Sequence, residues 1–314
     1  MKTLPTVRAA QLAQAQGSQP TWLVEGLWSA QAVGIIGGEP KCGKSFLALD
    51  LAVAVASGTP CLRRFPTPRC GRVLLFAAED AAHIVRQRLE GIAAAAAVDF
   101  QSLEVHLIIV PTLRLDRHEH QAALAATVGD LKPKLLVLDP LVRLHSIDEN
   151  VAAEVAPLLA YLRTLQRCHH TAVALVHHAR KGAAHERGQA LRGSSDLHAW
   201  GDSNLYLRRH GQNLQLSSEH RAAPGLDRLP LALKINPPAL ALEVLTPPPP
   251  VAETGRPSAL DRIEQLLGQA TTALSQRQLR EQARMRTCHV VDALAKLTES
   301  GRVIRSAEGY RLNR

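Results

Sequence analysis

Eight residues carry the most explicit chemistry in the chain: Gly38-Glu39-Pro40-Lys41-Cys42-Gly43-Lys44-Ser45. Gly38 and Gly43 have no Cβ, so the backbone between them can curl its N–H groups around a β-phosphate. Lys44 then reaches the β- and γ-oxygens, and the Ser45 hydroxyl takes a place on Mg²⁺. A helix opening near Gly43 points its positive end at the same anion. The required context is present: the apolar run "AVGIIGG" leads in, and a helical pattern follows from Phe46. Residues Gly38 through Phe46 are therefore expected to seat a nucleoside triphosphate.

Such a ligand asks for two more groups. One is a carboxylate at a strand end to hold the metal's water shell, and "LLVLDP" supplies Asp139. The other is a group that activates the attacking water. "RVLLFAAED" ends in Glu79 and Asp80. In a parallel sheet the C-terminal strand ends open onto one crevice, which directs Glu79 at the γ-phosphate. The plainer alternative is that both acids only cap the next helix. We assign Glu79 to the water and Asp80 to the cap.

These groups need a scaffold, and its elements are readable. "AVGIIGG", "RVLLFAA", "EVHLIIV", "KLLVLDP" and "TAVALVHH" are short, apolar and without polar alternation. Strands buried on both faces have that character. Helical patterns fall between them at 44–57, 81–96, 119–130 and 151–167, the last after Asn150 as N-cap. Strand–helix alternation predicts an α/β fold with a mainly parallel sheet. "NLYLRR", "NLQLSS", "PLALKI" and "ALEVLT" then read as antiparallel strands closing one edge.

Residues 1–30 read as a lead-in, 31–245 as the main domain and 246–258 as a linker. Four consecutive prolines in that linker have no amide hydrogen for a helix or sheet. The remainder, 259–314, reads as three helices and a hairpin, a winged-helix pattern. Val290, Leu294 and Leu297 share one face, and Gly301 sits at the C-cap.

Composition narrows the partners. The formal charge of +9 suits a polyanion without demanding one. Cys42, Cys61, Cys70, Cys168 and Cys288 are scattered singly, which fits neither a disulfide framework nor a zinc site. No apolar run is long enough to span a membrane, so a cytoplasmic protein is expected.

Taken in order, the lead from Trp22 through the phosphate loop, "GRVLLFAAED", "LLVLDPL", "VHHARKG" and "LRGSS" resemble the RepA-type hexameric helicases, within the RecA/DnaB-like P-loop ATPases. The resemblance spans about residues 20–235. It implies a RecA-like core binding ATP and Mg²⁺, ring-shaped homo-oligomers, and ATP sites between neighbouring subunits. It gives Glu79 the catalytic carboxylate role and Asp139 the metal role. A γ-phosphate sensor falls on His178, with His177 as rival. A loop facing the ring channel covers 179–195, where Arg180, Lys181, Arg187 and Arg192 would meet the phosphates of single-stranded DNA. "SEHRAAPG" resembles a finger segment and points to Arg221, with Arg192 and Arg208 behind it. Glu219 stands where that segment has a lysine, and Asp202 where the RepA-type finger would be.

The tail is a departure from that family's core. Residues 256–314 carry 11 Lys/Arg against 6 Asp/Glu. Its helix-turn-helix character offers Arg284 and Arg286 to duplex DNA. Two functions follow as expectations: a DNA helicase or helicase-like ATPase of plasmid or mobile-element replication, or a non-motor ATP-dependent regulator that binds DNA through the tail.

Overall fold

The computed structural model describes residues 4, 6–11, 21–178, 195–211, 213–245, 259–270, 272–283, 285, 287–306 and 308–313. Arg180, Lys181, Arg187, Arg192, Arg284, Arg286 and the proline run lie outside them. The chain divides into two units, Met1–Thr246 and Pro247–Arg314.

In the first unit the chain runs β1 (Trp22–Val24), β2 (Trp28–Ser29), β3 (Val33–Gly38), α1 (Lys44–Ser57), β4 (Val73–Ala77), α2 (Ala82–Ala95), β5 (Val105–Leu107) and α3 (His118–Leu131). It continues as β6 (Leu135–Asp139), α4 (Ala152–His169), β7 (Ala172–His178), α5 (Ser195–Trp200), β8 (Ser203–His210), β9 (Asn213–His220), β10 (Leu229–Asn236) and β11 (Ala239–Val244). Among the described residues, nine strands form one sheet in the order β11-β10-β9-β8-β3-β7-β6-β4-β5.

Apolar residues on both sides of each central strand give the sheet two cores. Ile36 packs in one with Leu47 and Leu51 of α1, and Ile35 in the other with Leu158 and Leu162 of α4. The hairpin β1–β2 belongs to the α1 side, where Leu27 and Trp28 are fully buried. The last third of the expected lead-in is thus part of this packed body.

Strands β3 to β7 pair in parallel, as their sequence implies. The edge strands depart from expectation in one respect. β8 lies parallel to β3, and antiparallel pairing begins only with β9. β5 is also shorter than "EVHLIIV". It pairs with β4 alone and ends at Leu107, leaving Ile109 86% exposed.

Two expected helix caps are corrected. Val151, not Asn150, is the N-cap of α4, because the Asn150 amide turns back to Asp148 Oδ1 at 2.8 Å. Ala81 is the N-cap of α2 with no side-chain cap, because Asp80 is drawn into an ion pair with Arg88.

The second unit contains α6 (Ala259–Gln269), α7 (Gln276–Ala283), α8 (Thr287–Glu299), β12 (Val303–Ser306) and β13 (Gly309–Leu312). Its own core gathers Ile263, Leu267, Leu279, Val290, Leu294, Leu297 and Val303. Ser275 starts α7 through a reciprocal cap: its hydroxyl accepts from Gln278 N, and Gln278 Oε1 accepts from Ser275 N at 2.8 Å. Among the described residues, no helix is long and apolar enough to cross a membrane.

Candidate nucleotide-binding site

The chain leaves β3 at Gly38 and turns through five residues into α1. Gly43 holds φ at +87°, in the left-handed region that a side chain would strain. At Gly38 the limit is space, since a Cβ there would stand 2.3 Å from the Leu207 carbonyl oxygen of β8. Lys44 is only 5% exposed, and its Nζ donates to the carbonyls of Gly38 at 3.0 Å and Glu39 at 2.7 Å. Burial draws its pKa down, while the Asp139 and Glu79 carboxylates oppose that shift. Cys42 turns inward, its Sγ 3.6 Å from the Leu207 carbonyl, and burial pushes the thiol up.

Pro40 through Phe46 line a cavity of about 730 Å³ that also takes in Glu79, Asp80, Asp139 and His178. Gly38 and Glu39 stand behind it and hold Lys44. The strand ends thus bring together what was scattered over the sequence. Asp139 closes β6, where it accepts a hydrogen bond from Ser45. Burial pushes its pKa up to about 6; the Ser45 bond opposes this and Asp80 adds to it. A hydroxyl and a carboxylate already in contact are the hard oxygen donors that suit Mg²⁺. Glu79 is 44% exposed and accepts from Arg143 Nε at 3.0 Å.

The two histidines separate by strand alternation. His178 lines the cavity. His177 is 1% exposed on the other side of β7, its Nε2 3.9 Å from Glu149 Oε2, and Glu149 also meets His145 at 3.2 Å.

The two finger candidates among the described residues, Arg221 and Arg208, do not line this cavity. The start of β8 pairs with the end of β9, Ser203 with His220, whereas Leu207 lies beside Gly38. Arg221 is therefore at the far end of the sheet, 60% exposed and 3.2 Å from Asp202 Oδ1. Arg208 is half-buried on β8. Its neighbour Arg209, which no motif marks, lines the cavity and donates to the Lys41 carbonyl at 2.9 Å. Arg88, also unmarked, pairs with Asp80 and lies 5.2 Å over the Phe46 ring.

A family model described as an AAA domain matches residues 2–184. The chain belongs to this AAA-domain family. As a P-loop ATPase family it implies nucleotide binding, and the cradle described above fits that ligand. Among solved structures, the RadB recombinase aligns with a TM-score of 0.50 at 16% identity, over 69% of this chain and 92% of that one. That likeness concerns the fold, a RecA-like P-loop ATPase core with a mainly parallel sheet. The ATPase domain of G40P aligns with a TM-score of 0.48 at 13% identity, over 65% of this chain and 81% of that one.

In an AAA domain with this site, Asp139 has a measurable signature of its own. Its folded pKa of about 6 lies above the ordinary 3.8, so its contribution to stability is full below pH 3.8 and lost as pH rises through 6. Asp139→Asn escapes that loss. The variant should gain on the parent by up to about 3 kcal/mol between pH 4 and pH 8 without nucleotide. Denaturant unfolding at several pH values measures this. A constant offset would mean that Asp139 titrates as a solvent-exposed carboxylate.

Proposed function

We propose that this AAA-domain protein is an ATP-hydrolysing, RepA-like helicase or helicase-like ATPase. It acts on single-stranded DNA in the replication of a plasmid or mobile element and works as a ring of identical subunits. The observation that supports this best is the meeting of phosphate loop, Glu79, Asp139 and His178 in one cavity. The loop amides and Lys44 bind the β- and γ-phosphates, and Ser45 with Asp139 holds Mg²⁺. When bound, that ion neutralises charge on the phosphates and orients them. Glu79 takes the proton of the attacking water, and His178 contacts the γ-phosphate from the end of β7. Arg221, remote from its own cavity, can act only on a phosphate held by a neighbouring copy.

Loop arginines and lysine at 180, 181, 187 and 192 would follow the DNA backbone without reading sequence. A second reading has support in the tail: α6 to β13 pack as a separate unit in a basic stretch. In it, a winged helix binds duplex DNA through Arg284 and Arg286, and ATP governs assembly rather than movement. ATP turnover with and without single-stranded DNA distinguishes the two. The motor reading expects severalfold stimulation by single strands. Duplex-specific binding with unchanged turnover would replace it by the regulator.

A further inference from the structure

Beyond the phosphate loop, the cavity has an apolar wall: Leu214 of β9, Ala232 and Leu233 of β10, and Leu242 of β11. In sheet order these strands lie on one side of β3, and on the other lie β6, which ends at Asp139, and β4, which leads to Glu79. A triphosphate with its γ end toward the carboxylates therefore carries its base toward the leucines. The wall sits close over the loop. A Cβ on Gly43 would be 3.3 Å from Leu214 Cδ1 and 3.7 Å from Leu242 Cδ2.

β11 is the last strand of the sheet, with only β10 beside it, and it also packs against α1 and α2, so that Leu242 is 1% exposed in the core on the α1 side. An ion pair between Asp50 of α1 and Arg63 of the loop after it adds a polar tie to that strand. Asp50 is 2% exposed and accepts from Leu62 N at 2.7 Å, and Arg63 lies 2.7 Å from its other oxygen. The same guanidinium nitrogen donates to the Leu242 carbonyl. The chemistry of hydrolysis makes no use of this pair. Buried ion pairs also contribute little net stability over apolar replacements. Its position, rather than its strength, is what distinguishes it.

We propose that Asp50 and Arg63 are positioning residues for the nucleotide base: they lock β11 to α1 so that Leu242 and Leu214 stand where the base must lie. This rests on the nucleotide reading above and extends it to the base half of the ligand. An apolar wall holds a base by contact area, so adenine and guanine should depend on it alike.

The test uses the full chain with ATP, GTP and inorganic tripolyphosphate as probes, and compares Arg63→Lys, Arg63→Met and Leu242→Ala. Lysine keeps a charge for Asp50, but its ammonium ends one bond short of the guanidinium nitrogen that meets both Asp50 and the Leu242 carbonyl, and it guards against a methionine variant that fails to fold. Leu242→Ala leaves the ion pair whole and shortens the wall. All three should weaken ATP and GTP by about tenfold, while tripolyphosphate, which has no base, binds as before. For the Arg63 variants KM for ATP should rise in step, with kcat at saturation within about twofold of the parent. Equal losses for ATP and tripolyphosphate would make the pair a general support of the fold and overturn the proposal. So would Arg63 variants that bind ATP normally while Leu242→Ala does not. A parent protein that binds none of the three probes would instead remove the nucleotide reading itself.

Discussion

Replacing Glu79 by Gln should leave ATP binding near the parent value and lower turnover by about two to four orders of magnitude. The amide keeps the size and the Oε1 acceptor of the carboxylate, so the contact from Arg143 Nε, 3.0 Å in the parent, can persist. A side chain 44% exposed carries little packing, so the fold should tolerate the change. What is lost, on the proposed role of Glu79, is the basic oxygen that would take a proton from water. That proton moves only in the transition state, and kcat should fall without a matching rise in KM. Single-turnover hydrolysis together with nucleotide binding on the same preparation separates the two effects. Turnover within a few fold of the parent would reduce Glu79 to a surface partner of Arg143.

Much of the fold could be read from local pattern because the central strands are buried on both faces. Runs such as "LLVLD" leave no other economical place for so much Val and Leu, and α1 occupies the 44–57 expected for it. The misreadings gather where a local preference met a stronger tertiary partner. Asp80 is a reasonable cap by type, yet Arg88 one turn and more along α2 takes its carboxylate. Asn150 likewise turns to Asp148. β5 stops early because an edge strand has only one neighbour to extend its ladder.

The site divides along the same line. Lys44, Ser45, Glu79 and Asp139 were visible because each stands at a strand end or turn that motif spacing locates. For His177 and His178 the spacing left two choices, since a period of two says that adjacent residues part but not which one faces the ligand. Strand register resolves it, putting His178 at the cavity. Arg208 and Arg209 pose the same problem on β8, and Arg209 is the one at the loop. Leu214, Leu233 and Leu242 carried no signal at all. An apolar residue on a late strand looks the same whether it fills a core or walls a cavity. The distinction arises only when β9 to β11 pack beside α1.

Lys44→Ala should reduce ATP affinity by at least about a hundredfold while the fold persists. The lysine is charged opposite the β- and γ-phosphates, and two charge-assisted hydrogen bonds account for a loss of that order. Lys44 also has a structural role: it is 5% exposed and ties the carbonyls of Gly38 and Glu39 together. Its removal has two opposing effects on stability. The loop loses an internal clasp, yet a cation whose pKa burial has lowered no longer has to be kept out of water. The net shift in melting temperature should therefore be small, even though binding collapses. Arginine at the same position is a useful contrast, because it keeps the charge but cannot fit a compact head between the two carbonyls. Lys44→Arg should also bind ATP poorly, with a larger loss of stability than Lys44→Ala. Calorimetric titration with ATP and Mg²⁺, alongside thermal unfolding of each variant, measures both quantities. If Lys44→Ala binds ATP with the parent's affinity, residues 38–46 are a glycine turn and not the phosphate seat.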